Sequence, residues 1–341
     1  MTDVARHAKV SLKTVSRYVN GERNIDPIIA QRIAEAVVSL HFRRNMAAAS
    51  IRPGQRSQLV GLIIDDVANP FYATLTRSIE RALRVEGMLL LAASSEQDSD
   101  HFGRLVEQFL ERRIDGLIVV PPSLPGPRWT ELAKEIPALV VLDRFDPAID
   151  ADAIVADDEQ GGRTATTLLL AGGSRRIAFV GEALLVPTVN NRYRGYLSAL
   201  SDAGVVPSEA LVIDGVHTAS DAGAAIAALL RDGVQFDAVF TSNNRASIGV
   251  LAAFRELSIS RPMVGFDDFE AACLVEPAVT VVAHSVTEMG KLAAQVLLAR
   301  INGDSKPHRT VVLPTITILR DSHLPRPSPA EVNPEKRKVA P

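Results

Sequence analysis

Between Asp3 and Asn20 the chain spaces Val4, Ala5, Ala8, Val10, Val15 and Val19 so that two short helices bury one face each across a tight turn near Lys9-Val10. This is a helix-turn-helix pattern. Ser11 stands where its hydroxyl can cap the second helix by accepting from a first-turn N–H. The opposite face of that helix carries Leu12, Lys13, Ser16 and Arg17. Side chains so placed face base edges when a helix lies in the major groove of DNA, and an arginine there can bond both acceptors of a guanine. Pro27 after Asp26 marks the start of a third helix, whose Ile29, Ile33, Val37 and Leu40 supply the stripe that closes the small core. Three helices in about 40 residues bury little apolar surface, so the unit is expected to be marginal by itself.

With Asn20-Gly21 added, the run D-V-A-x-x-A-x-V-S-x-x-T-V-S-R, met at Asp3, Val4, Ala5, Ala8, Val10, Ser11, Thr14, Val15, Ser16 and Arg17, resembles the LacI/GalR family of bacterial transcription regulators. Charge partition agrees with a nucleic-acid module. Residues 1–57 hold ten basic and four acidic side chains, a balance of +6, while the whole chain carries −3; the remainder is therefore −9. A basic module sits on an acidic body.

The resemblance implies a hinge over residues 46–57 that becomes a helix on the operator, pairs with its dimer mate and wedges an apolar side chain into the minor groove. Its matches here are Asn45, Ala48, Ser50 and Ile51, with Ile51 where relatives carry Leu, Ala49 in place of a common Arg and Arg44 in place of a common Pro. Ala47-Ala48-Ala49 also reads as a helical linker without base contacts. At the other end, Met1 falls where the family has a buried apolar residue, so the family's capping Thr is missing. A charged amine at a helix N-terminus opposes the dipole, and the translated protein is expected to begin a few codons upstream.

At 341 residues with 47% apolar and 23% charged side chains, the chain can hold this headpiece and two ordinary-sized lobes. Between Leu59 and Leu319 short apolar runs alternate with helical stripes: LVGLII (59–64), MLLLAA (88–93), DGLIVV (115–120), ALVVL (138–142), RIAFV (176–180), FDAVFT (236–241) and PMVGF (262–266). Near-continuous apolar strands divided by helices indicate parallel sheets covered on both faces. One stripe is Tyr72, Leu75, Ile79, Ala82 and Leu83; another includes Leu168 and Leu169. Cys273 is the single cysteine, which excludes an intramolecular disulfide, suits a reducing cytoplasm and reads as a small buried hydrophobe. Neither a signal peptide nor an apolar run of the ~18 residues a membrane span needs is visible, and a cytoplasmic location is expected. The Pro- and charge-rich end, 325–341, is expected to be a disordered tail.

The resemblance continues through ANPFY (68–72), IDGLIV (114–119), VVLDR (140–144), RIAFVG (176–181), RYRGYLSAL (192–200), GFDD (265–268), MGKLA (289–293) and LRDS (319–322). It implies a small all-α helix-turn-helix headpiece (1–45) plus an α/β two-lobe effector domain like periplasmic sugar-binding proteins, with parallel sheets. The N-lobe is expected over 58–157 and 285–317, the C-lobe over 158–284 and 318–324, with crossings near 157, 284 and 317. Ligands bind beyond the carboxyl ends of such strands. Polar pairs stand there: Asp65-Asp66, Asp143-Arg144, Ser242-Asn243 and Asp267-Asp268, with Glu182. Carried over position by position, the implied effector contacts are Phe71, Asp143, Arg144, Arg192, Asn243 and Asp267. Carboxylates and an amide suit sugar hydroxyls, and two arginines suit an oxygen-rich or anionic group. For each, a strand-end cap or inter-lobe salt bridge is the competing role. Asn244 for a common Asp, Ser174 for a common His and Thr218 for a common aromatic leave the effector's identity open; His217 beside Thr218 reads as a solvated loop residue or a ligand contact.

The chain has no GxGxxG after a strand, no GxxxxGK[ST], no GxSxG, no HExxH and no paired Cys/His metal spacing. Adjacent carboxylates such as Asp157-Asp158 and Asp267-Asp268 point apart on a strand or loop and do not make an acid/base pair. The expectation is a regulator without catalysis, cofactor or metal. It is expected to act as a homodimer, or a tetramer, on double-stranded operator DNA, most often as a repressor, under a small sugar-like effector. An activator of the same family and, for the body alone, a solute-binding protein are the alternatives.

Overall fold

In the computed structural model, residues 1–19, 22, 24–42 and 56–325 are described, and the chain divides into two units, Met1–Ser57 and Gln58–Pro341. The hinge positions Asn45, Ala48 and Ile51, the neighbouring Arg43 and Arg44, and the tail from 326 onward lie outside the described residues.

The first unit forms α1 (Thr2–Ala8), α2 (Leu12–Val19) and α3 (Pro27–Ser39). The turn after α1 is made by Lys9 in the left-handed region (φ 51°), and Ser11 Oγ accepts from the Thr14 N–H at 3.1 Å. α3 starts on Asp26, whose carboxylate accepts from the Ile28 and Ile29 N–H groups at 2.9 and 3.2 Å, with Pro27 in the first turn. Val4, Ala5, Ala8, Val15, Ile33 and Ala36 form the core, with Val10, Val19, Ile29 and Val37 packed at its edge. Leu40 does not join the stripe. It caps the end of α3, 40% exposed, and Phe42 packs against the core from beyond the helix end. Arg32 of α3 donates to the Ala8 carbonyl and so satisfies a free acceptor at the end of α1.

The second unit contains β1 (Leu59–Ile64), α4 (Pro70–Val85), β2 (Leu89–Ser94), α5 (Ser99–Glu111), β3 (Gly116–Val119), α6 (Trp129–Glu135), β4 (Leu139–Leu142) and β5 (Asp152–Ala156). A second series repeats the alternation: α7 (Asp158–Ala171), β6 (Ile177–Val180), α8 (Pro187–Asp202), β7 (Val212–Ile213), α9 (Ala219–Arg231), β8 (Ala238–Thr241), α10 (Asn244–Glu256), β9 (Met263–Phe266) and β10 (Thr280–Ala283). The chain then returns through α11 (Val286–Ile301) to β11 (Thr310–Leu313) and β12 (Ile316–Ile318). The two sheets have matching orders, β11-β5-β4-β3-β1-β2 and β12-β10-β9-β8-β6-β7, parallel throughout except for β12 against β10. Every apolar run named from sequence coincides with one of these strands to within a residue or two at either end. The central strands β1, β3, β4, β6, β8 and β9 are buried along almost their whole length, as sheets covered on both faces require.

The chain passes between the sheets after β5, after β10 and between Leu313 and Ile316. The last passage is earlier than the expected 317, because Thr317 already pairs with Val282 in the second sheet. Cys273, expected to be buried, is exposed at the end of a short 3-10 turn, Glu270–Cys273. Its thiol hydrogen-bonds the carbonyl within that turn, and the apolar neighbour Ala272 takes the buried position.

One helix pair is unusually close. A Cβ on Gly162 of α7 would lie 2.1 Å from the Arg192 carbonyl oxygen, and a Cβ on Gly195 of α8 would lie 2.0 Å from that of Glu159. Both obstacles are backbone, so no rotamer change relieves them. Gly195→Ala is expected to force the helices apart and lower stability by roughly 1–3 kcal/mol or more, read as a drop in the urea midpoint. An unchanged midpoint would show that the pair separates freely.

Candidate functional site

Asp143 follows β4 and Asp267 follows β9, the corresponding strands of the two sheets. Both residues adopt φ 63°, and each donates its backbone N–H at 2.9 Å to the neighbouring strand, to Ile154 and Val282 respectively. The left-handed region is one that Asp tolerates better than most side chains. The same turn, used twice, thus brings a carboxylate from each lobe to a common cleft beyond the strand ends.

Phe71, Asp143, Arg144, Arg192, Asn243 and Asp267, the six positions expected to contact effector, all line this cleft. Their present bonds differ from one another. Arg144 is buried, donating to Asp65 Oδ2 at 3.2 Å and to the Pro121 carbonyl at 3.1 Å, while its Nε has no partner. Arg192 is also buried, with Nε on Asp158 Oδ1 at 2.7 Å, Nη1 on the Ser242 carbonyl at 2.6 Å and Asp267 Oδ2 at 3.5 Å; its guanidinium lies 3.7 Å over the Phe266 ring. Both arginines bridge elements of one lobe, so neither is an inter-lobe strut. Asn243 caps α10 by accepting from the Ala246 N–H at 2.8 Å and donates to Glu182 at 3.1 Å. Asp267 keeps one carboxylate oxygen, Oδ1, buried and unpartnered.

Burial dominates the electrostatics. It raises the Asp143 and Glu182 carboxyls above their ordinary values and pushes Asp158 up to about 7, each against the pull of a neighbouring guanidinium.

Two inter-lobe links flank the cleft. Asn244, at the start of α10, donates at 3.0 Å to Asn69 Oδ1, which caps α4 by accepting from the Phe71 N–H. Beside it Arg245 pairs with Asp66, holding that carboxyl below its ordinary value. An Asp at position 244 would offer Asn69 Oδ1 no donor, so Asn244 suits its partner here.

Several participants escaped sequence reading. Asp157 and Asp158 point apart, as adjacent carboxylates outside an acid/base pair do: Asp157 caps α7 by accepting from the Gln160 N–H at 3.2 Å, and Asp158 turns inward to hold Arg192. A carboxylate one residue past a crossing was the available signal. His284 follows β10 at the second passage between lobes, 5% exposed, with no partner on either ring nitrogen and its ring 5.7 Å from Phe71. Nothing in the one-dimensional pattern marked it. Thr218 caps α9 in a reciprocal capping box with Asp221, and His217 is exposed.

On the headpiece, Leu12 and Lys13 are exposed and Ser16 is half-buried. Arg17 donates from Nε to Glu22 at 2.6 Å and from Nη2 to the Asn24 carbonyl at 2.8 Å.

Two family descriptions match the chain: "Bacterial regulatory proteins, lacI family" over residues 1–45 and "Periplasmic binding proteins and sugar binding domain of LacI family" over 57–321. Similar proteins include a ribose operon repressor of Haemophilus influenzae, 28% identical over 94% of this chain and 98% of its own length. The HTH-type transcriptional regulator GalR of Escherichia coli is also 28% identical, over 94% of each chain. Among solved structures, a transcriptional regulator CelR–cellobiose complex is 27% identical with a TM-score of 0.70, covering 94% of this chain and 98% of that one. A lac repressor dimer bound to operator and an anti-inducer shares the fold with a TM-score of 0.84 at 21% identity, covering 95% of this chain and 98% of that one.

Proposed function

Because this chain belongs to the LacI/GalR family of DNA-binding bacterial transcription regulators, which are not enzymes, we propose that it is a repressor whose hold on a pseudo-palindromic operator is set by a small sugar-like effector in the cleft of the body. The observation that carries this reading is the pairing, in one chain, of a helix-turn-helix unit with a two-lobe cleft that keeps unpartnered polar atoms on Arg144 and Asp267. Both atoms belong to residues that line the cleft, where the hydroxyls of a bound ligand would complete their bonding. Ribose and cellobiose in the names of similar proteins agree with a sugar-like ligand. Two headpieces of a homodimer would read two half-sites while Ile51 of each hinge wedges the minor groove between them. Effector binding would alter the arrangement of the lobes and so bias operator affinity, one coupling free energy linking both ligands.

Selection of bound genomic fragments, followed by release of the selected fragment with candidate sugars, tests the reading. Failure to enrich any inverted repeat would overturn it. An activator of the same family differs only in where the operator lies relative to the promoter, and the same selection separates the two.

In this reading Arg17 reads a base and Arg43 or Arg44 contacts phosphate. The bonds of Arg17 to Glu22 and to the Asn24 carbonyl hold the guanidinium through Nε and Nη2 before DNA arrives. Arg17→Ala should cost ~1–3 kcal/mol on the best site and flatten the preference at one base pair, whereas Arg44→Ala should weaken all sequences alike and make the salt dependence shallower. Equal losses on operator and random DNA for Arg17→Ala would place this side chain on phosphate instead.

A further inference from the structure

Two side-chain bonds join the lobes beside the cleft, and we infer that they form a latch that sets how the lobes sit. Asn244 and Arg245 are its parts in the C-lobe, Asn69 and Asp66 their partners in the N-lobe. The first two open α10 and the other two precede or cap α4, so the latch ties together the N-terminal ends of one helix from each lobe.

Each half is fixed within its own lobe. Asp66 Oδ1 accepts from the Ala68 N–H at 2.8 Å, which leaves Oδ2 to take Arg245. Asn69 Oδ1 accepts from the Phe71 N–H at 3.0 Å, so the atom it presents to Asn244 is an acceptor, and only a donor can meet it. Asn244 Nδ2 is that donor, at 3.0 Å. The aspartate common at this position would set acceptor against acceptor. Arg245 adds a second reason. A cation in the first turn of a helix opposes the helix dipole, and the first turn of α10 carries no acidic residue to offset it. Glu182 of the same lobe is engaged by Asn243, and the carboxylate bonded to Arg245 belongs to the other lobe. What Asp66 does for α10 is therefore lost when the lobes part. The two side chains of the pair are 28% and 30% exposed, enough burial for the attraction to count and enough water for it to be broken. Asn244 Oδ1 pulls the other way, buried here without a partner that water would supply on separation. Opposed contributions of this kind make a contact that can be released, as a bistable body requires.

Paired spin labels read the lobe arrangement in the full chain without effector or operator. One label takes the exposed Cys273 of the C-lobe and the other an exposed N-lobe site opened by Glu111→Cys, with doubly labelled chain diluted in unlabelled chain. Arg245→Gln and Asn244→Asp should each raise the share of a second distance by about threefold or more, with the melting midpoint little changed. Adding Asp66→Asn to Arg245→Gln should shift the distribution no further, because one pair is lost only once. Arg255→Gln removes a cation from the last turn of the same helix and should leave the distribution as in the wild type. An unchanged distribution in either Arg245→Gln or Asn244→Asp, an equal shift in Arg255→Gln, or full additivity of Asp66→Asn and Arg245→Gln overturns the latch. Those failures leave the functional reading standing, since none of them involves DNA or effector. Shifted distances in Asn244→Asp with unchanged affinity for the selected operator would instead keep the latch and remove the link from lobes to headpiece in that reading.

Discussion

Arg192→Ala is expected to destabilise the body by about 3–5 kcal/mol, because it strips the partner from a buried carboxylate rather than merely deleting a ligand contact. Asp158 is almost fully buried and accepts from Arg192 Nε at 2.7 Å; the same guanidinium satisfies the Ser242 carbonyl and covers the Phe266 ring. The close approach of α7 and α8 through Gly162 and Gly195 delivers these two side chains to each other. Without the arginine, Asp158 escapes the cost of an isolated buried charge by binding a proton. Its carboxyl already titrates at about 7 with Arg192 in place, and it would be raised further in the variant. A group whose folded pKa is raised above its unfolded value contributes stability that is present below the unfolded pKa, ~3.9, and lost as pH rises through the folded one. The deficit of Arg192→Ala should therefore be smaller near pH 5 than near pH 8. Urea unfolding of both proteins at the two pH values measures it. A deficit independent of pH would mean that Asp158 binds its proton alike in the two proteins, and that the loss comes from packing and the Ser242 bond alone.

The same pair shows what a linear sequence can and cannot display. The helix-turn-helix unit was legible because its core repeats at helical spacing and its caps are local: Ser11 reaches Thr14 and Asp26 reaches Ile28, each within a few residues. The sheets were legible because strands buried on both faces read as unbroken apolar runs. Leu40 leaves the expected stripe because periodicity does not say where a helix stops, and one residue past the end the stripe no longer faces the core, where Phe42 packs instead. Positions around the cleft emerged from strand ends, a property of parallel sheets that needs only the strand boundaries. What those residues bond to did not emerge. Arg192 meets Asp158 and Asp267 across 34 and 75 residues of chain, Asn69 meets Asn244 across 175, and none of these partners shares a local pattern. His284 carries no periodic signature, since one buried polar residue after a strand looks like any loop residue until the groups around it are placed.

Asp267→Asn is expected to weaken effector control while leaving the free protein's operator binding near the wild-type level. Asp267 sits at φ 63° after β9, and asparagine tolerates that backbone region at least as well, so the turn should survive the change. One carboxylate oxygen is 3.5 Å from Arg192, whose nearer and better bonded carboxylate is Asp158; the stability cost should therefore be small beside that of Arg192→Ala. The other oxygen, Oδ1, has no partner and is the acceptor available to a ligand hydroxyl. The amide oxygen still accepts, so the change trades a charge-assisted hydrogen bond for a neutral one, a loss of roughly 1–2 kcal/mol, or about five- to 30-fold in effector affinity. A ligand shifts an equilibrium only by its differential affinity for the two states. At effector concentrations that release the wild type, the variant should therefore stay on its operator, or stay off it where the effector is a co-repressor. Calorimetry with the identified effector, run beside a fluorescence titration of operator DNA, gives both numbers. Wild-type effector affinity in Asp267→Asn would show that this carboxylate only steadies Arg192, and that the acceptor for the ligand lies on another side of the cleft.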